Sequence, residues 1–125
     1  MGADDRVRLG LSGEDLACAE LERRGYEILA RRVRCRRGEL DIVARDGHTV
    51  VFVEVKTRRT ASHGSAFEAV TPAKQRVIRA LAERYLMARR WMGRPSRFDV
   101  VAVDLSGAEP RVDVLRAAFD ASTGW

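Results

Sequence analysis

Lysine is nearly missing from this chain of 125 residues. Of its 23 basic side chains only Lys56 and Lys74 are lysines, and the other 21 are arginines. Most of the positive charge is therefore the permanently ionised, fork-shaped guanidinium, which suits phosphate and which a genome rich in arginine codons also produces. Cysteine is scarce too. Cys18 and Cys35 stand alone, with no C-x-x-C and no His beside them, which excludes a ready-made zinc motif and leaves two reduced thiols. No uninterrupted apolar run exceeds four residues, as in Val50–Val53 and Val100–Val103, against the ~20 a membrane helix needs. No apolar stretch follows Met1, and Arg6 stands where a myristoylation motif needs Ser or Thr. A cytoplasmic protein with no membrane partner is expected. Neither G-x-G-x-x-G nor G-x-x-x-x-G-K-[ST] occurs, so nothing points to a nucleotide cofactor.

What is present describes one domain, with a core over about 10–116 and a tail at 117–125. The 46% hydrophobic content supports a packed interior, and 33% charged residues of mixed sign argue against a disordered tail. A net charge of +5 and a pI near 10.0 favour an anionic partner, nucleic acid before membrane.

Ser12, followed by Glu14 and Asp15, marks a helix start that Gly25 ends, predicting a helix over about 12–24. Tyr26–Ala30 begins a strand that runs into the basic segment Arg31–Arg37 and stops at Gly38. Glu39–Arg45 follows as a strand, with Leu40, Ile42 and Ala44 alternating against Glu39, Asp41 and Val43, and Asp46-Gly47 closes a hairpin. In Thr49–Thr57, Val51, Val53 and Val55 share one face and Val50, Phe52, Glu54 and Lys56 the other. This most β-branched segment belongs at the centre of a sheet. Residues 58–70 read as a loop long enough to suspect a function. Thr71-Pro72 then opens a helix through about residue 92, with Arg76, Arg79, Glu83, Arg84, Arg89 and Arg90 on its exposed face. Arg97–Leu105 is a fourth strand and Arg111–Leu115 an edge strand. This order implies an α/β protein, a mixed sheet flanked by helices.

The chemistry sits in Gly38-Glu39-Leu40-Asp41 and Phe52-Val53-Glu54-Val55-Lys56. Glu54 and Lys56 point to one face, and an Asp and a Glu on neighbouring strands can converge. Two carboxylates, water and a phosphate oxygen are what Mg²⁺ accepts, with Mn²⁺ as the alternative ion. A lysine beside them can hold or deprotonate the attacking water and neutralise charge on the phosphoryl oxygens; arginine hardly does the first. Placing one of two lysines there gives Lys56 its meaning, although E-x-K also occurs as a simple surface charge pair. Glu39, on the face assigned to Asp41, either adds a ligand or caps the strand. His48 and His63 read as exposed, Trp91 and Trp125 as packing or subunit-contact residues, and Asp99 has no assigned role.

These residues also carry a family likeness. Gly13-Glu14-Asp15-Leu16-Ala17, Gly25-Tyr26-Glu27-Ile28-Leu29, Gly38-Glu39-Leu40-Asp41-Ile42-Val43-Ala44, Val51-Phe52-Val53-Glu54-Val55-Lys56-Thr57-Arg58, Thr71-Pro72-Ala73-Lys74-Gln75-Arg76 and Phe98–Val103 occur in order over about residues 10–105. The chain thereby closely resembles the bacterial YraN family of predicted nucleases. That family is similar to restriction-endonuclease-like enzymes and, in layout, to archaeal Holliday-junction resolvases. The resemblance implies a restriction-endonuclease-like mixed sheet and a Mg²⁺-dependent endonuclease acting on branched or structured DNA in repair or recombination. It assigns the metal to Asp41 and Glu54, aid to the water to Lys56, and a further metal ligand to Glu14, with Lys74 and Gln75 supplying polar groups. The chain departs from the pattern at Leu40, where the superfamily has Pro, and at Arg32 and Val33, where the family commonly has Asn and an aromatic.

Arg34, Arg36, Arg37, Arg58 and Arg59 flank the proposed metal strands and would track phosphates. Paired cutting of a junction would require two active sites and hence a homodimer. Two other readings stand beside the enzyme. One is a non-catalytic nucleic-acid-binding module that kept the nuclease fold; the other is an assembly protein whose basic helix 72–92 binds an acidic partner.

Overall fold

The computed structural model describes residues 12–59 and 70–119; the interior of the 58–70 loop with His63, and Trp125, lie outside them. The order is α1 (Gly13–Arg23), β1 (Glu27–Cys35), β2 (Gly38–Asp46), β3 (Thr49–Arg58), α2 (Pro72–Arg89), β4 (Ser96–Asp104) and β5 (Arg111–Phe119). Five strands form one sheet in sequence order, antiparallel except for β3 and β4. A parallel pair cannot be joined by a tight turn, and α2 supplies the crossover. This mixed sheet flanked by two helices is consistent with a restriction-endonuclease-like fold.

Both helices begin where the sequence places them. Ser12 Oγ accepts the Asp15 N–H at 3.1 Å while Asp15 Oδ2 accepts the Ser12 N–H at 2.8 Å, a reciprocal capping box. Together with Arg31, those bonds hold the Asp15 carboxyl down at about 2. Thr71 caps α2 through the Lys74 N–H, with Pro72 in the first turn. α2 ends at Arg89, short of 92, because Arg90 turns left-handed (φ 61°) and the Trp91 N–H returns to the Leu86 carbonyl.

The sheet separates two apolar layers. Against α1 lie Ile42, Ala44, Val51, Val53, Val101 and Val103, packed on Ala17, Cys18 and Leu21. Against α2 lie Leu40, Val43, Val50, Phe52, Phe98 and Val100, packed on Ile78, Leu81, Ala82, Tyr85 and Leu86. The β3 alternation holds. On β2 the expected alternation fails, because Leu40 and Val43 share a layer although they are three residues apart. The pleat slips around Asp41, beside Arg32 of β1, whose φ is 52°.

The strand that runs into the basic segment continues through Cys35, and Arg36-Arg37 forms the turn to β2. Two further expectations change. β5 runs to Phe119, past Leu115, because the Phe119 ring stacks on Phe98 with centroids 4.8 Å apart. Arg79 is buried at 5% exposure, with its guanidinium 5.9 Å from the Phe119 ring, so it leaves the exposed face assigned to it. Trp91 packs edge-on to Tyr85. The two-residue Gly47-His48 turn places Gly47 at φ 62°, a conformation that side chains resist.

Asp99, to which sequence gave no role, is fully buried on β4. It accepts from the Tyr26 hydroxyl, Arg97 Nε and the Ala117 N–H, each at 3.0 Å. A bulge opposite Asp99 and the left-handed Ala117 (φ 51°) aim that last N–H. Arg97 continues to Asp46 at 2.9 Å, so one network ties β2, β4, β5 and the residue preceding β1.

Candidate active site

The β2–β3 ladder runs from Asp46 opposite Thr49 to Ile42 opposite Val53, and stops. Just past its end Asp41 stands in for the missing backbone partner: its Oδ2 accepts the Val55 N–H at 2.8 Å. The fork between the strands thus fixes one carboxylate. On β3, Glu54 and Lys56 follow Phe52 toward α2, whereas Val55 joins the α1 layer.

Gly13 brings α1 to this fork. A Cβ there would lie 2.0 Å from Thr57 Oγ1 and 3.0 Å from Thr57 Cβ, so only glycine permits the approach. Gly13→Ala should cost roughly 1–3 kcal/mol through overpacking, more than the ~1 kcal/mol that alanine gains in helix propensity. Thermal unfolding would register the loss. The close approach carries Glu14 over the fork, where carboxylate oxygens of Glu14, Glu39 and Asp41 all lie within 4.8 Å of one another. A cleft of about 500 Å³ opens there, lined by Ser12, Glu14, Arg32, Asp41, Thr57 and Arg59 among others.

Glu54 is 6% exposed and stands between both lysines of the chain. Lys56 Nζ is 3.6 Å and Lys74 Nζ 3.8 Å from its Oε1. Burial raises the Glu54 carboxyl above its ordinary range and the Asp41 charge adds to this, while Lys74 and Lys56 oppose it. Burial likewise raises Asp41, aided by Glu14 and Glu39 and opposed by the Val55 N–H and Lys74. Desolvation leads both shifts, and the mutual repulsion of the neighbouring carboxylates adds to it. Carboxylate oxygens gathered this closely in a half-buried setting fit a hard divalent cation.

The structure brings Glu14, Glu39 and Asp41 to ligand spacing, with Glu54, Lys56 and Lys74 beside them. Of the two readings offered for Glu39, its place is beside Asp41, although Arg34 Nε also reaches it at 2.7 Å. Arg59 lines the cleft, and Arg36 and Arg37 lie exposed on the β1–β2 turn. Arg58 instead pairs with Asp104 at 3.0 Å, and the Gln75 amide donates to the Val70 carbonyl at 3.0 Å. The family likeness placed Lys74 at the site, but its closing on Glu54 was hidden by the 19 positions between them.

The model of the uncharacterised protein family UPF0102 matches residues 13–103. A UPF0102 protein of Geobacter sulfurreducens is 53% identical over 120 residues, covering 95% of this chain and 94% of its own. One from Syntrophotalea carbinolica is 50% identical over 120 residues, covering 96% and 97%, and one from Pseudomonas aeruginosa 48% over 115, covering 90% and 92%. The matched span contains the capping box residue Asp15, the forked strands and the start of α2, so every residue of the cleft but Ser12 falls inside it. The chain belongs to the UPF0102 family, the YraN-like group that its motifs resemble.

Proposed function

We propose that the protein is a metal-dependent endonuclease that hydrolyses DNA phosphodiester bonds, acting on branched or structured DNA in repair or recombination. The observation that carries this reading is the convergence of the chain's two lysines on buried Glu54, beside a carboxylate cluster that includes Asp41. A pure binding module has no use for buried acids that repel phosphate, and an acid-binding helix has no use for them either.

Asp41, Glu54 and Glu14, with Glu39, would hold Mg²⁺ or Mn²⁺. Such an ion polarises a phosphoryl oxygen and acidifies a bound water. The Val55 N–H fixes the Asp41 carboxylate in advance, so no side-chain freedom is lost when it binds. Glu54 positions the Lys56 ammonium, which holds the attacking water and meets negative charge developing on the phosphoryl group. Lys74 screens Glu54 from the α2 side. Arg59 and the Arg36-Arg37 turn follow the flanking phosphates.

The test is incubation of labelled linear, single-stranded and four-way DNA with Mg²⁺ or Mn²⁺, comparing wild type with Asp41→Ala and Glu54→Ala. Cutting by the wild type alone supports the reading; DNA binding without any cutting favours the binding module. Lys56→Arg should lower the cleavage rate about 10²-fold while leaving DNA affinity unchanged, because the positive charge survives but the compact, titratable amine does not. Single-turnover rates set beside binding curves separate the two effects.

A further inference from the structure

Arg31 and Arg32 are consecutive residues of β1, and consecutive strand residues point to opposite faces. Both nevertheless reach one oxygen: Glu14 Oε1 accepts from Arg31 Nε at 3.3 Å and from Arg32 Nε at 3.1 Å. The left-handed backbone of Arg32, with φ 52°, accompanies this breach of alternation. A non-glycine residue occupies that region only at a conformational cost. The ion pair it makes is a poor return in stability, since the Arg32 side chain is 54% exposed and water screens it.

The two arginines are not equivalent. Arg31 has a second anchor, Asp15 Oδ1 at 2.7 Å, whereas among the described residues Arg32 pairs with Glu14, and its side chain lines the cleft. Glu14 in turn has conflicting duties, because the two guanidinium charges gathered on its Oε1 repel a cation brought to the same carboxylate. A phosphate resolves the conflict. Its paired oxygens match the guanidinium fork and make a stronger partner than a single, water-screened carboxylate oxygen.

We propose that Arg32 is a phosphate-binding residue of the cleft, parked on Glu14 and transferred to a phosphate oxygen of the entering nucleic acid, which lifts one of the two guanidinium charges from Glu14 and favours the cation there in the same movement. This rests on the nuclease reading and gives Glu14 a role that depends on substrate. No covalent bond is made or broken in the transfer; one charge-assisted hydrogen bond replaces another.

The test uses the full chain and two variants. Arg32→Asn removes the guanidinium yet tolerates positive φ, and Arg32→Lys keeps the charge without the fork. Calorimetry measures Mn²⁺ affinity without DNA, and fluorescence anisotropy measures affinity for a fluorescein-labelled duplex in EDTA over a salt series. Arg32→Asn is expected to bind Mn²⁺ severalfold more tightly. It should bind the duplex about tenfold more weakly, with a salt slope shallower by about one. Arg32→Lys should recover the slope but not the full affinity.

A purely structural ion pair would show the opposite pattern in Arg32→Asn: a lower melting temperature, weaker Mn²⁺ binding and unchanged DNA binding. That result overturns the proposal, as does a variant indistinguishable from wild type in both titrations. Failure of the wild type itself to take up Mn²⁺ would instead overturn the nuclease reading, and this proposal with it.

Discussion

Asp41→Asn and Glu54→Gln are each expected to lose DNA cleavage by about 10³-fold or more and yet to unfold at a higher temperature than the wild type. Both carboxyls are pushed above their ordinary values, chiefly by burial, so the folded chain disfavours their ionised forms. For an acid raised in the folded state, stability is greatest below the unfolded pKa and is lost as pH rises through the folded one. Near neutral pH the wild type therefore carries a penalty that the amides lack. Asn can still accept the Val55 N–H at position 41, so removing the charge leaves the fork closed. The gain should be roughly 1 kcal/mol, the size of an ordinary stabilising substitution. It should shrink as pH falls and vanish below the ordinary values of 3.8 for Asp and 4.5 for Glu, where both states are protonated. Thermal unfolding from acid to neutral pH, run beside cleavage assays, checks both halves. Variants that lost stability as well as activity would mean that these carboxylates serve the fold rather than a reaction.

The second large effect concerns stability alone. Asp99→Ala is expected to cost about 3–5 kcal/mol, the range for removing one partner of a buried charge pair. The substitution takes the acceptor from the Tyr26 hydroxyl, Arg97 Nε and the Ala117 N–H together, in a site with no exposure to water. Arg97 keeps Asp46, and this second partner holds the cost within the range. Asp99→Asn should cost less, because its carbonyl oxygen still accepts from Ala117 while its amide confronts the guanidinium. Urea unfolding with an unchanged m-value would measure the difference as stability alone. A loss under 1 kcal/mol for Asp99→Ala would contradict a structural role.

The fold was largely readable because its cues are local. Ser12 with Asp15, Thr71 with Pro72, the Asp46-Gly47 turn and the alternation of Val50–Lys56 each specify a conformation within a few residues. What sequence hid depends on partners far along the chain. Arg79 reads as a surface residue until Phe119 covers it, and Asp99 reads as an intruder until Tyr26 and Ala117 reach it. The candidate site divides in the same way. Asp41, Glu54 and Lys56 stood out through their chemistry and strand period. The weight of Glu39 did not, since the strand period set it on the face of Asp41 without deciding between a ligand and a strand cap. Nor did the closing of Lys74 on Glu54, which requires the crossover helix to begin beside the end of β3.

The central claim is that the forked β2–β3 strands hold a cation-dependent phosphodiesterase site. Its most direct measurement is the single-turnover fate of labelled four-way DNA bound to excess protein, with Mg²⁺ added against an EDTA control and Asp41→Asn prepared in parallel. Product forming only with wild type and only after the cation is the predicted result. DNA that stays bound and uncut, or is cut equally by Asp41→Asn, would contradict it.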